Sequence, residues 1–176
     1  QILLKQRPKG KPETSDFEIK DFEISEDKAL KLKTKYISVD PYLRGRMRDE
    51  ESYIEPFQVG KPLESMVVSE VISSNSEDFK VGEHVIGMLD WKHEQSHDGK
   101  GLRKIDKEMA PLSAYLGVLG LTGLTAHLAL DTIGKLKEGE TLLVSGAAGA
   151  VGSVVGEAIL LELAPMITGL VMTGRI

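Results

Sequence analysis

The chain has 176 residues, a net charge of −5, 41% hydrophobic and 28% charged residues, and no cysteine. That composition belongs to a globular protein of one domain, or one domain and part of a second. The acidic balance argues against a nucleic-acid partner, whose phosphates require a basic excess, and the lack of cysteine excludes disulfides, thiol nucleophiles and cysteine-ligated zinc.

The start, "QILLKQRPKGKPETSDF", holds four apolar-leaning residues and then becomes charged, without the apolar core of a secretory leader. Residues Ile2–Val85 read mostly as strands and turns. "ALKLKTKYISVD" (Ala29–Asp40) alternates Leu30 and Leu32 with Lys31 and Lys33, then runs into Tyr36, Ile37 and Val39, which predicts a strand with one buried face. "SMVVSEVISSN" (Ser65–Asn75) is β-branched, and "FKVGEHVIGML" (Phe79–Leu89) predicts a turn at Val81–Gly82 before another short strand. Strands at such spacing suggest a small barrel or sandwich.

Residues Lys92–Gly101, "KHEQSHDGKG", are polar and glycine-ended, and predict a loop. Pro111 then marks a helix start, with Leu112, Tyr115, Leu116 and Leu119 as its apolar positions. "LTGLTAHLALDTIGKLKEGE" predicts a second helix closed by Gly134 and a turn at Lys137–Glu140. Thr141–Ser145 is the next strand, with Leu142, Leu143 and Val144 as a buried parallel run. The tail Ala158–Met172 is apolar but interrupted by Glu162, Pro165 and Gly169, too short and broken for a membrane span. The expectation is a cytoplasmic protein with no membrane partner.

In "SGAAGAVGSVVG", Gly146, Gly149 and Gly152 are spaced G-x-x-G-x-x-G, with Gly156 one helical turn on. Glycines between a strand and a helix let a pyrophosphate approach main-chain N–H groups at the positive end of that helix. Gly152 and Gly156 would also let the helix lie close on the sheet. A tight strand–helix turn without ligand is the alternative. A nucleoside-triphosphate loop is disfavoured, since no Gly-Lys-Ser/Thr follows. Thr168–Thr173, near where a ribose-binding residue would fall, do not read as a second strand of such a fold.

Three segments carry a resemblance: "YISVDPYLRGRM" (Tyr36–Met47), "AYLGVLGLTGLTAHLAL" (Ala114–Leu130) and "GETLLVSGAAGAVGSVVG" (Gly139–Gly156). Together they resemble the zinc-independent medium-chain dehydrogenase/reductase superfamily, in the branch of prostaglandin reductase and the NADP-dependent alkenal double-bond reductases. The resemblance implies a mixed α/β fold: a GroES-like β-rich substrate domain, residues 1–112, followed by the start of a Rossmann-type NADP-binding domain, residues 113–176. It implies NADP(H) as cofactor and reduction of the C=C bond of an α,β-unsaturated aldehyde or ketone, without metal. By position it assigns Gly149, Ala150, Val151 and Gly152 to the pyrophosphate, Thr122 and Thr125 to the nicotinamide, and Tyr42 to the substrate pocket. A homodimer is compatible with it. The tyrosine credited with polarising the carbonyl corresponds to no residue of this chain, so the catalytic residue is unassigned.

Relatives of this kind are about twice as long, and "EAILLELAPMITGLVMTGRI" departs from their pattern. A truncated chain and a sequence joining distant segments are the open alternatives, and a non-catalytic GroES-like module is the rival function. Asp40 reads as a corner-capping residue. Arg44, Arg46 and Arg48 alternate and read as a solvated face, with contact to a cofactor phosphate as the alternative. His84 reads as structural or exposed. His93 and His97, with Glu94 and Asp98, have a metal-like spacing but sit in the predicted loop. His127 stands where relatives carry an aromatic residue and reads as a packing substitution. Thr122 and Thr125 could also bond back into their helix, but the resemblance favours the cofactor.

Overall fold

The computed structural model describes residues 1–25, 27–159 and 167–173. It divides into two units, Gln1–Leu112 and Ser113–Ile176. In the first unit, β1 (Ile2–Leu4) pairs antiparallel with β2 (Phe17–Ile19). Strands β3 (Leu30–Ile37), β4 (Glu64–Ser74), β5 (His84–Asp90), β6 (Glu94–His97) and β7 (Arg103–Ile105) form one antiparallel sheet in the order β6-β3-β4-β5-β7. Between β3 and β4 lies the short helix α1 (Tyr42–Arg46).

The alternation in β3 does what period two predicts: Leu30 and Leu32 are buried and Lys31 and Lys33, alternating with them, are not. They join Val67, Val71, Val85 and Leu89 in one core, flanked by Phe79 and Leu102. Each such side chain, fully buried, contributes about 1.5–3 kcal/mol. Beyond a register shift at Thr34/Tyr36 the pattern breaks, leaving Tyr36 and Val39 exposed. A second cluster gathers Leu4, Leu43, Met47, Phe57 and Leu63, with Ile2, Phe17, Tyr42 and Trp91 packed against it.

The predicted loop at Lys92–Gly101 is corrected by β6. Residues 94–97 pair with Lys33–Leu30 of β3 as an edge strand. Its polarity follows from that place at the end of the sheet: only Gln95 is buried, and Glu94, Ser96 and His97 are half-buried.

In the second unit a tight helical turn at Leu112–Leu116 buries Tyr115 and is followed by α2 (Leu121–Leu128). This helix widens into π-helical turns over Ala129–Gly134 and ends at Lys135, whose φ of 47° is left-handed. Strand β8 (Glu140–Ser145), helix α3 (Ala150–Ala158) and strand β9 (Ile167–Thr173) come next, with β8 and β9 parallel. A strand at Ile167–Thr173 corrects the reading of Thr168–Thr173: it pairs from Glu140↔Ile167 to Ser145↔Thr173 despite Gly169. The rest of the tail, residues 160–166 and 174–176, lies outside the described residues.

The core of this unit is Ala126, Leu130, Val144, Ala147, Val155 and Ile159. The buried run expected at Leu142–Val144 is corrected as well: Val144 is buried but Leu143 is 65% exposed. Among the described residues no helix is long and apolar enough to cross a membrane.

Candidate functional site: a glycine turn and an aromatic corner

The turn between β8 and α3 is closed by a bond from the Gly149 N–H to the Gly146 carbonyl at 2.8 Å. Gly146 has φ +62°, a conformation that favours glycine. Gly149 is the extended residue just before α3, and the Ser153 N–H bonds to its carbonyl at 2.9 Å. By helix geometry the amides of Ala150, Val151 and Gly152 therefore lie ahead of the α3 hydrogen-bond ladder. Gly149 and Ala150 are exposed, Val151 is half-buried and Gly152 is buried.

Gly152 meets the turn itself. A Cβ there would stand 2.5 Å from the Gly146 carbonyl oxygen and 2.8 Å from the Ala147 Cα. The helix start and the turn are thus packed backbone to backbone, which holds the leading amides at an open, positive helix end.

On α2, Thr122 Oγ1 donates to the Gly117 carbonyl at 2.9 Å and Thr125 Oγ1 to the Leu121 carbonyl at 2.7 Å. Both hydroxyl protons are used inside the unit, and each oxygen keeps lone pairs to accept a further N–H. His127 is exposed on the same helix, so its reading as a packing substitution is corrected.

Tyr42 opens α1 at a corner of the first unit. Ser38 Oγ donates to Asp40 Oδ2 at 2.6 Å, and the Leu43 N–H bonds to the Asp40 carbonyl at 3.1 Å, so Asp40 organises the corner. Burial, helped by the Asp40 carboxylate, pushes the Tyr42 phenol above its ordinary pKa, while Arg46 pulls the other way. The phenol therefore stays protonated through neutral pH.

The alternating arginines do not form one solvated face, because they lie on and just after a helix rather than along a strand. Arg46 is buried, with its guanidinium 4.0 Å over the Phe57 ring. Its Nε donates to the Glu55 carbonyl at 2.9 Å and its Nη2 to Glu64 Oε1 at 2.6 Å. Arg44 reaches the Gly10 carbonyl at 2.7 Å, and Arg7 returns bonds to the Met47 and Arg48 carbonyls. Arg48 is exposed.

His93 is exposed, while His97 Nδ1 accepts the Gly99 N–H at 2.9 Å. No group of three His, Asp or Glu among the described residues is placed to hold a metal. Sequence reasoning missed the tie between Trp91 and Ser65, whose Oγ accepts the indole N–H at 2.8 Å. The single tryptophan was visible, but a partner 26 residues away carries no local signal.

Residues 1–105 match the family described as the N-terminal domain of oxidoreductase. The chain belongs to this oxidoreductase family. Its relatives place it in the medium-chain dehydrogenase/reductase superfamily. It is 51% identical over 159 residues to the Bacillus subtilis protein YfmJ, covering 89% of this chain and 47% of that one. It is 40% identical over 158 residues to an NADPH-dependent curcumin reductase of Escherichia coli, covering 88% of this chain and 46% of the relative. The structure of CurA from Vibrio vulnificus in complex with NADPH superposes with a TM-score of 0.86 at 35% identity, covering all of this chain and 52% of CurA. The chain spans about half the length of these relatives. The fold is mixed α/β, with a GroES-like antiparallel part that includes the matched residues 1–105 and, after it, the strand–helix–strand β8–α3–β9.

Proposed function

We propose that this oxidoreductase chain serves NADPH-dependent reduction of a carbon–carbon double bond conjugated to an aldehyde or ketone, without a metal. The observation that carries the reading is the backbone contact of Gly152 with Gly146, which leaves no room for a side chain at Gly152 and seats the start of α3 against the turn. That cradle fits a pyrophosphate, and its relatives include NADPH-dependent curcumin and NADP(+)-dependent 2-alkenal reductases.

When bound, NADPH supplies the hydride that adds to the β-carbon of the double bond. In this reading the turn Gly149, Ala150, Val151 and Gly152 holds the pyrophosphate, with the amides of Ala150, Val151 and Gly152 as its donors. Thr122 and Thr125 oxygens accept from the carboxamide that orients the nicotinamide ring. Tyr42 lines the substrate pocket, its phenol protonated and its helix fixed by Arg46. Residues 1–112 then form the substrate domain and 113–176 the beginning of the cofactor domain. A cytoplasmic homodimer belongs to the same reading.

The test is a fluorescence titration of the purified chain with NADPH, followed by NADPH consumption with crotonaldehyde. Saturable binding and turnover support the reductase. A folded chain with neither supports the second reading, a non-catalytic GroES-like module.

A further inference from the structure

Ser65 sits on β4 with no exposed surface, and its hydroxyl bonds in two directions, to the segments that continue β3 and β5. It accepts the Trp91 indole N–H at 2.8 Å and donates to the Ser38 carbonyl at 2.7 Å. Ser38 begins the corner that launches α1, bonding Asp40 through its own hydroxyl. The backbone of Trp91 is already held, its N–H on the Leu63 carbonyl at 2.7 Å and its carbonyl on the Ile2 N–H at 2.9 Å. Only the indole ring remains to be set, and Ser65 sets it.

A buried hydroxyl is costly unless its bonds are made. On the same strand Val67 and Val71 join the first core and Ser69 is a second buried serine, whose hydroxyl has no partner among the described residues; Ser65 differs from it in having both its bonds made. The two bonds are what the hydroxyl adds, and both lead to the cluster of Leu43, Phe57 and Leu63 on which Tyr42 and Trp91 rest.

We propose that Ser65 is a positioning residue: its one hydroxyl locks the Trp91 indole to the Ser38–Asp40 corner, so that Trp91 and Tyr42 present a single fixed aromatic wall to substrate. This deepens the proposed function and rests on the reading that Tyr42 lines the substrate pocket.

Trp91 is the sole tryptophan, so one indole N–H resonance and the whole tryptophan emission report this corner. In Ser65→Ala the indole N–H exchanges with solvent about tenfold faster or more, and the amide resonances of Ser38–Tyr42 shift. Affinity for benzylideneacetone in the presence of NADP+, which has no hydride to give, read by quenching of Trp91, weakens about fivefold. Ser65→Thr, which keeps the hydroxyl, restores all three. If a Ser65 variant does not fold, Trp91→Phe removes the donor instead and shifts the same Ser38–Tyr42 amides. Unchanged indole exchange and unchanged corner amides in folded Ser65→Ala overturn the link. Moved resonances with unchanged enone affinity overturn the role in the substrate wall. A wild-type chain whose Trp91 emission ignores benzylideneacetone overturns the substrate-pocket reading, and the exchange and amide measurements then decide the Ser65 link alone.

Discussion

Gly152 rests directly on the carbonyl of Gly146, with room for a hydrogen and not for a methyl group. Gly152→Ala must push α3 away from the turn or twist the turn itself. The expected cost is about 1–3 kcal/mol in urea unfolding, with a loss of NADPH affinity of about tenfold or more as the leading amides move. Gly45→Ala is the control: Gly45 lies in α1 with nothing within 4 Å of a new Cβ. There the exchange is expected to stabilise by about 0.5–1 kcal/mol and to leave NADPH binding unchanged. Equal behaviour of the two variants would remove the packing argument for the turn.

Arg46 is the polar centre of the Tyr42 corner. Its bonds to Glu55 and Glu64 and its stacking on Phe57 tie α1 to β4 and to the segment before it. Arg46→Ala leaves the Glu55 carbonyl and the Phe57 face without that partner, and about 2–4 kcal/mol of stability is expected to go. Glu64 loses less, since its side chain is 41% exposed and rehydrates. Arg46→Lys is expected to recover less than half, because an ammonium cannot reach both acceptors in one plane while stacking on a ring. Chemical denaturation of the three proteins decides this, and full rescue by lysine would count against it.

These two sites show what the sequence could and could not reveal. The glycine turn was legible because strand, turn and helix lie within twenty consecutive residues, and β3 to β5 were legible because alternation and β-branching are local. Residues 94–97 gave no strand signal, since an edge strand draws its stability from the β3 backbone rather than from its own side chains. Arg46 was misread because alternation was taken at strand period, whereas α1 places Tyr42 and Arg46 one turn apart. Its partners, and the Ser65–Trp91 pair, come from residues 9 to 26 positions away. Strand β9 was missed because Pro165 and Gly169 look like breakers, while the parallel pairing to β8 is a tertiary decision.

Leu121, Leu124 and Leu128 recur at three and four residues and are 67%, 54% and 43% exposed, a stripe along one side of α2. Such a stripe binds hydrophobic dyes and promotes association. The chain is expected to enhance anilinonaphthalene sulfonate fluorescence and to sediment faster as its concentration rises. Leu124→Glu should lower both without changing the urea midpoint, since it removes exposed rather than buried apolar surface. Dye binding that survives in Leu124→Glu would place the sticky surface elsewhere.

His97 gives the fold an acid sensitivity in mildly acidic solution. Burial holds its imidazole below the ordinary histidine range; the Asp98 and Asp90 carboxylates oppose this and Lys28 adds to it. The neutral ring is also what accepts the Gly99 N–H. With the folded pKa below the unfolded value of about 6.5, the unfolded chain binds more protons between the two. Stability from this residue is therefore complete above about pH 6.5, falls as pH drops toward the folded pKa, and then levels off. The carboxylates of Glu70 and Glu83, held low by hydrogen bonds to Lys35 and to the Lys80 amide and Lys104 respectively, lose their contribution only at more acidic pH. His97→Asn keeps an acceptor near the Gly99 amide but cannot be protonated. Urea midpoints at about pH 8 and about pH 5.5 should differ less in His97→Asn than in the parent chain, and an equal difference in both would assign the acid sensitivity to other groups.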